Sequence, residues 1–161
     1  GVESYGAEVS AFYRLTPAFS ALASYSYNHA TYQQTVRDGS GNLLAEKGRY
    51  VVDTPQNMVK GELVYDDSRF FGRVGADYMS KRYFTYLNDQ SVAGRVLVDA
   101  SIGYRFPQEW GGFSIEGSVT NLTDKSYIST IGTNGFTASG DNQTLLAGAP
   151  RQWFVTLKKG F

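Results

Sequence analysis

Apolar and polar residues alternate with a period of two along most of this 161-residue chain. In the first such stretch one parity carries Tyr5, Ala7, Val9, Ala11, Tyr13 and Leu15. The other parity carries Gly6, Glu8, Ser10, Phe12 and Arg14. Successive side chains of a β-strand point to opposite faces, so the pattern predicts a strand with one apolar and one polar face. The same split recurs at residues 19–27, 59–65, 70–78, 96–106, 113–119 and 153–161. Seven strands with no helical period between them predict an all-β fold.

The connections between the predicted strands alternate in length. Three are short, at residues 16–18, 66–69 and 107–112, and three are long, at about 28–57, 80–94 and 120–150. In a run of antiparallel strands, alternate connections lie at opposite ends of the sheet. One rim would therefore carry only short turns and the other only long loops, which is typical of outer-membrane barrels.

Aromatic residues of the apolar parity lie near both ends of the predicted strands. The set near the short turns is Tyr13, Phe19, Tyr65, Phe70, Tyr104, Phe106, Phe113 and Phe161. The set near the long loops is Tyr5, Tyr25, Tyr27, Tyr78 and Trp153. Because Tyr and Trp favour the membrane–water boundary, two such bands indicate a membrane-spanning antiparallel β-barrel. Its apolar face would touch lipid and its polar face would enclose a lumen; the alternative is a soluble β-sandwich.

Composition narrows the possible functions. The chain has 15 basic and 15 acidic side chains, and this balance argues against a nucleic-acid partner. It has no Cys and one His, His29, which excludes disulfides, thiolate sites and multi-histidine metal sites. We therefore expect no cofactor, no resident metal and no enzyme activity. A membrane hydrolase using His29 and a Ser is an alternative that no sequence pattern supports.

An odd number of strands predicts that the barrel is larger than this chain. Unpaired backbone groups at a sheet edge cost several kcal/mol each in lipid, so an open edge is not stable there. The alternative is a self-contained eight-stranded outer-membrane barrel with a structural or adhesive role. That barrel would need a further strand within residues 36–53.

Two motifs near the end of the chain resemble one known family. The stretch Val119-Thr120-Asn121-Leu122-Thr123-Asp124-Lys125-Ser126-Tyr127 resembles the V-x-N-L-x-D-x-x-Y signature of TonB-dependent outer-membrane receptors. The stretch Gly148-Ala149-Pro150-Arg151 resembles the G-x-P-R entry to the last strand of that family. Gly6-Ala7-Glu8 and the Gly48…Pro55 spacing also resemble the family.

The resemblance implies an architecture and a function. It implies a 22-stranded barrel in the bacterial outer membrane, of which residues 1–161 would be a C-terminal segment of about seven strands. The N-terminal plug domain and the other strands would lie outside this chain. Such receptors import scarce nutrients, most commonly a ferric siderophore or similar metal chelate, and TonB drives them through the plug. Barrel-assembly machinery would recognise the last strand, with Trp153 and Phe161 as girdle and assembly signal.

Two groups of residues are candidate sites. On or near the outer side lie Arg49, Tyr50, Arg82, Tyr83, Tyr86 and Tyr127. Aromatic rings and Arg suit a flat anionic chelate, although loop packing or the aromatic girdle would use the same residues. Charges of the polar parity are Glu8, Arg14, Lys60, Glu62, Arg73, Asp77, Asp99, Arg105 and Glu116. They could line the lumen or contact the plug; the alternative is cross-strand ion pairing within the wall.

Overall fold

The computed structural model describes residues 1–133 and 143–159, and β-strands dominate them. The strands are β1 (Val2–Arg14), β2 (Phe19–Tyr32), β3 (Val36–Arg37), β4 (Leu43–Ala45), β5 (Asn57–Asp66), β6 (Phe70–Met79), β7 (Arg82–Tyr83), β8 (Ser91–Val92), β9 (Arg95–Arg105), β10 (Phe113–Thr120), β11 (Ile128–Thr133), β12 (Gln143–Ala147) and β13 (Gln152–Lys159). A short 3-10 turn spans Gln108–Trp110. Within the described residues, no helix is long and apolar enough to cross a membrane.

Seven long strands form one antiparallel sheet in the order β1-β2-β5-β6-β9-β10-β13. This confirms the prediction of an all-β fold with seven consecutive strands joined as neighbours. One predicted boundary is wrong, because β2 continues to Tyr32 instead of ending at residue 27. Residues 28–32 place polar side chains on both parities, so the alternation fades before the strand ends.

The strand register confirms the predicted faces. Directly opposed residues of neighbouring strands lie on the same side of a sheet. Leu63 pairs with Val74, Val74 with Ala100 and Ala100 with Val119, so one face collects the apolar parity of successive strands. We call this the apolar face and its opposite the polar face. The register between β10 and β13 extends the apolar face to the last strand.

No second layer covers the apolar face in the described part of the chain. Val9, Ile102 and Val155 are 63%, 70% and 78% exposed. A soluble sandwich would bury such side chains against a second sheet. In residues 1–133 and 143–159 a cluster of buried apolar side chains, Phe84, Val92 and Ile131, instead lies among the long connections. The described residues therefore form one seven-stranded sheet and not the two packed sheets of a sandwich.

The long connections contain short two-stranded ribbons: β3 with β4, β7 with β8, and β11 with β12. Leu43–Ala45, a candidate for an eighth strand, pairs with Val36–Arg37 and not with the main sheet. Among the described residues, the stretch 36–53 therefore adds no strand to the sheet. The described residues therefore do not supply the eighth strand that a self-contained eight-stranded barrel would need.

Aromatic rings meet across strands at the short-turn rim. The ring centroids of Phe19 and Tyr65 are 4.7 Å apart, and those of Phe70 and Tyr104 are 4.9 Å apart. At the opposite rim Trp153 lies on the apolar face opposite Val119 and is 70% exposed. Its predicted partner in the assembly signal, Phe161, lies outside the described residues.

Candidate functional site

The polar face carries all nine charges predicted for the lumen. On the central strands, acidic and basic side chains of neighbouring strands lie near one another. Lys60 Nζ lies 4.0 Å from Asp77 Oδ2, and Arg73 Nη1 lies 3.7 Å from Glu62 Oε2. Asp77 also receives Arg95 Nη1 at 3.8 Å. The Lys60 and Arg73 side chains are largely exposed and their distances are long, so each of these two pairs stabilises the sheet by no more than about 1 kcal/mol. The Arg95 side chain is only 16% exposed.

A cavity of about 400 Å³ opens in the polar face over Gly75. Its charged lining comes from Lys60, Glu62, Arg73, Asp77 and Asp99. Gly75 has no side chain, and the charged side chains of neighbouring residues surround its position. The hollow is the space that a side chain at residue 75 would fill. Asp99 Oδ1 also accepts a hydrogen bond from the Asn121 N–H at 2.8 Å, which ties the hollow to the base of a long loop.

The remaining predicted lumen charges lie toward the edges of the polar face. Arg105 binds Asp66 through two hydrogen bonds of 2.7 and 2.8 Å at the short-turn rim. Arg14 donates to the Pro17 carbonyl at 3.3 Å. Among the described residues, Glu8 and Glu116 form no ion pair. Most of these charges thus have bonding partners in the wall, whereas Glu8 and Glu116 have no ion-pair partner among the described residues.

Arg82 joins three long connections. Its guanidinium donates to Asp53 Oδ1 at 2.8 Å and to the carbonyls of Ile128 and Ser129 at 3.2 and 3.4 Å. The residue is 8% exposed. The sequence predicts Arg82 as a substrate contact, and the structure places its guanidinium in hydrogen bonds between loops. The guanidinium is occupied and buried because its partners come from segments that are far apart in the sequence.

Replacing Arg82 by Met is expected to loosen the long connections. The variant leaves Asp53 without its partner and two loop carbonyls without their donor, at a cost of about 1–3 kcal/mol in local stability. Hydrogen–deuterium exchange of the full-length protein should show faster exchange at residues 50–56, 82–92 and 128–133. The control is Arg49→Met, because Arg49 pairs only with Glu46 of its own loop, at 2.6 Å. Equal exchange in both variants would show that Arg82 does not hold the loops together.

Polar side chains complete the loop cluster around Phe84, Val92 and Ile131. Asn88 accepts the Tyr50 N–H at 2.7 Å and donates to the Tyr50 carbonyl at 3.0 Å. The fully buried Thr85 donates to Asp89 at 2.6 Å. The backbone φ of Asn88 is 57°, a left-handed conformation that Asn adopts more easily than most residues. The loops are therefore fixed to one another and to the sheet.

Tyr50 and Tyr83 belong to a row of rings at the long-loop rim. Tyr5 stacks on His29 at 4.7 Å, His29 meets Tyr50 edge-on at 5.5 Å, and Tyr50 stacks on Tyr83 at 6.1 Å. Tyr5 and His29 share the apolar parity and are direct register partners. Tyr50 and Tyr83 thus extend the aromatic band of the apolar face.

Two predicted contact residues lie toward the polar side. Tyr86 meets Tyr32 edge-on at 5.7 Å, and Tyr32 has the polar parity of β2. The Tyr127 ring lies under the Arg95 guanidinium at 4.7 Å, and Arg95 is itself bound to Asp77 on the polar face. Tyr86 and Tyr127 therefore each contact a side chain of the polar face.

The two motifs that carry the family resemblance meet in space. Asn121 donates to the carbonyls of Lys125 and Ala149 at 3.0 and 3.1 Å, and its side-chain oxygen accepts the Lys125 N–H at 2.8 Å. Asp124 accepts the Arg151 N–H at 2.9 Å. The first motif thus closes the base of the loop against the second. Their residues organise backbone at the entry to β13.

Sequence reasoning missed Asp53, Arg95 and the bonding role of Asn121. Arg95 continues the polar parity of Leu97 and Asp99, so extending the alternation by two residues would have found it. Asp53 follows an apolar pair and precedes Thr54 in a turn, which gives no signal for a partner in another loop. Among the described residues, no group of three or more acidic or His side chains could hold a metal ion.

Comparison with known proteins gives consistent matches. A family profile described as TonB dependent receptor-like, beta-barrel, matches residues 1–122. The ferrioxamine B receptor of Salmonella typhimurium is 25% identical over 152 residues, which cover 90% of this chain and 20% of that receptor. The chain therefore spans only a minor part of the curated relatives it matches.

Solved structures share the fold. The siderophore receptor of Acinetobacter baumannii aligns with a TM-score of 0.78 at 18% identity, covering 97% of this chain and 21% of that protein. The ferric yersiniabactin uptake receptor of Yersinia pestis aligns with a TM-score of 0.76 at 18% identity. That alignment covers 99% of this chain and 24% of the receptor.

Proposed function

Because this chain belongs to the TonB-dependent receptor β-barrel family, we propose that it forms part of the wall of an outer-membrane transporter for a ferric siderophore or similar metal chelate. The match of the family profile to residues 1–122 carries the proposal. The ferrioxamine B receptor, which aligns with most of this chain, favours an iron chelate as cargo.

The exposed apolar face supports a location in the outer membrane. Contiguous apolar surface of this extent is not stable against water, and acyl chains are the natural cover for it. The aromatic rings at both rims match the two interfaces of a bilayer. The long connections then lie on the cell exterior and the short turns in the periplasm.

Further strands of the same receptor would close the barrel. In the described sheet β1 and β13 are each paired on one side only, and both edges would be costly in lipid. The small share of each relative that this chain covers supports the same conclusion. We place residues 1–161 toward the C-terminal end of the barrel, because the G-x-P-R motif at Gly148–Arg151 leads into β13.

The polar face would line the passage and contact the plug domain. The charged hollow over Gly75 and the carboxylates of Glu8 and Glu116 would offer polar contacts to the plug. Energy would reach the plug from TonB, and this segment would take no part in that contact. Tyr86 and Tyr127 are the side chains we assign to ligand contact near the outer mouth, since both lie toward the polar side.

The proposal is tested by uptake of radioactive iron in cells that lack their own siderophore receptors and express the full-length receptor. Ferric ferrioxamine B is the first chelate, followed by catecholate and citrate chelates of iron. We expect saturable uptake of at least one chelate that disappears when TonB is deleted. Unchanged uptake without TonB, or no uptake of any chelate by a correctly assembled receptor, would contradict the proposal.

A further inference from the structure

A cavity of about 520 Å³ opens on the apolar side of the sheet at the long-loop rim. Its lining includes Tyr50, Gln56, Tyr78, Ser80, Lys81 and Tyr83. Tyr78 fixes the side, because it pairs with Val59 and Val96 in the register of the apolar face. We call this hollow the rim cavity.

The chemistry of the rim cavity suits an anion. Lys81 is its one charged residue, and the lining contains no carboxylate. The Lys81 ammonium lies 4.8 Å from the centre of the Tyr83 ring, which holds the cation at the rim. The carboxylate of Asp53 lies close in sequence to the lining, but Arg82 binds it instead. Within the described residues Lys81 has no ion-pair partner.

The backbone around the cavity is fixed, so the hollow is preformed. The Ser80 hydroxyl accepts the N–H groups of Gln56 and Asn57, each at 3.0 Å. Gly94 packs so closely that a Cβ there would lie 2.8 Å from the Met79 carbonyl oxygen. No side chain at 94 can fill the hollow, and a ligand would find it open.

We propose that the rim cavity binds the phosphate of an anionic lipid headgroup in the outer leaflet. This inference rests on the proposed function, because it requires the apolar face to contact acyl chains. Tyr78, which lines the cavity, belongs to the apolar row of Val59, Tyr78 and Val96, which an acyl chain would cover. A single ammonium binds a free phosphate ion weakly in water, whereas a lipid adds its apolar contacts to the same charge.

The test measures lipid retention by the detergent-solubilised full-length receptor in native mass spectrometry. Phosphatidylglycerol is the anionic probe and phosphatidylcholine is the neutral comparator. We expect Lys81→Ala to weaken phosphatidylglycerol binding about fivefold to tenfold, as one cation near a lipid surface contributes. The control is Lys47→Ala, since Lys47 is also an exposed lysine of a long connection but does not line the cavity.

Each outcome decides the proposal. A selective loss in Lys81→Ala, with phosphatidylcholine binding unchanged, supports it. Equal binding by the two variants, equal retention of both lipids by the wild type, or full displacement by millimolar inorganic phosphate overturns it. Heat-modifiable migration of each variant shows whether a membrane barrel is present. Loss of that migration in the wild type would count against the proposed function, whereas an intact barrel without Lys81 dependence counts against the headgroup site alone.

Discussion

Replacing Val98 by Arg is expected to lower the stability of the barrel in a lipid bilayer by about 2–4 kcal/mol. Val98 lies on the apolar face of β9, opposite Ala76 and between the two aromatic bands. An Arg there must leave its charge in hydrocarbon or distort the bilayer to reach water. The measurement is the denaturant midpoint of the full-length receptor refolded into vesicles, with heat-modifiable migration as the assay of the folded barrel.

The adjacent residue provides the control for this variant. Leu97 has the polar parity and pairs with Asp77, so Leu97→Arg would place its charge in the lumen beside a carboxylate. We expect a change within about 0.5 kcal/mol, as for surface substitutions without a special role. If Leu97→Arg destabilised the barrel and Val98→Arg did not, the two faces of the sheet would be reversed and the transport proposal would fail.

Replacing Asn121 by Ala is expected to cost about 2–4 kcal/mol of stability. Asn121 is 4% exposed, and the substitution removes the three hydrogen bonds that its side chain makes. The carbonyls of Lys125 and Ala149 would then lose a buried donor. The φ of Asn121 is 49°, and Ala adopts that left-handed conformation less readily than Asn.

The denaturant midpoint of the full-length receptor measures this effect as well. Asn121→Asp keeps the acceptor oxygen and loses the donor, so we expect an intermediate loss. Asn42→Ala is the matched control, because Asn42 is exposed and bonds only within its own hairpin, to Asp38. If the Asn121 and Asn42 variants unfolded at the same midpoint, the motif would not close the loop base as the structure indicates.

The faces of the seven long strands follow from the sequence because alternation is local. A strand with one apolar and one polar side must repeat its side-chain type at every second residue. The faces of each strand can therefore be predicted from that segment alone. Leu63, Val74, Ala100 and Val119 could be assigned to one face before their register was known. The short turns could also be predicted from the sequence, since Pro17, Asp66 and Asp67 are residue types that favour turns.

The loop cluster and the bonds of Arg82 could not be predicted from the sequence, because these contacts join residues that are far apart in the chain. Arg82 and Asp53 are 29 positions apart, and Arg82 and Ile128 are 46 apart. Strands of two residues such as β7 and β8 are too short to show a period. A buried Arg in a loop therefore looks like an exposed one until its partners are placed.

Periodicity alone established that this chain forms a sheet with one apolar and one polar face. It could not establish whether the apolar face meets a dry core or lipid, because alternation is the same in both cases. Tertiary structure added one fact to this question: in the described residues no second layer covers Ile102 or Val155, which supports the proposed lipid contact. It also decided which loop side chains bond to one another, such as Arg82 and Asp53, since that depends on contacts between segments that no local pattern records.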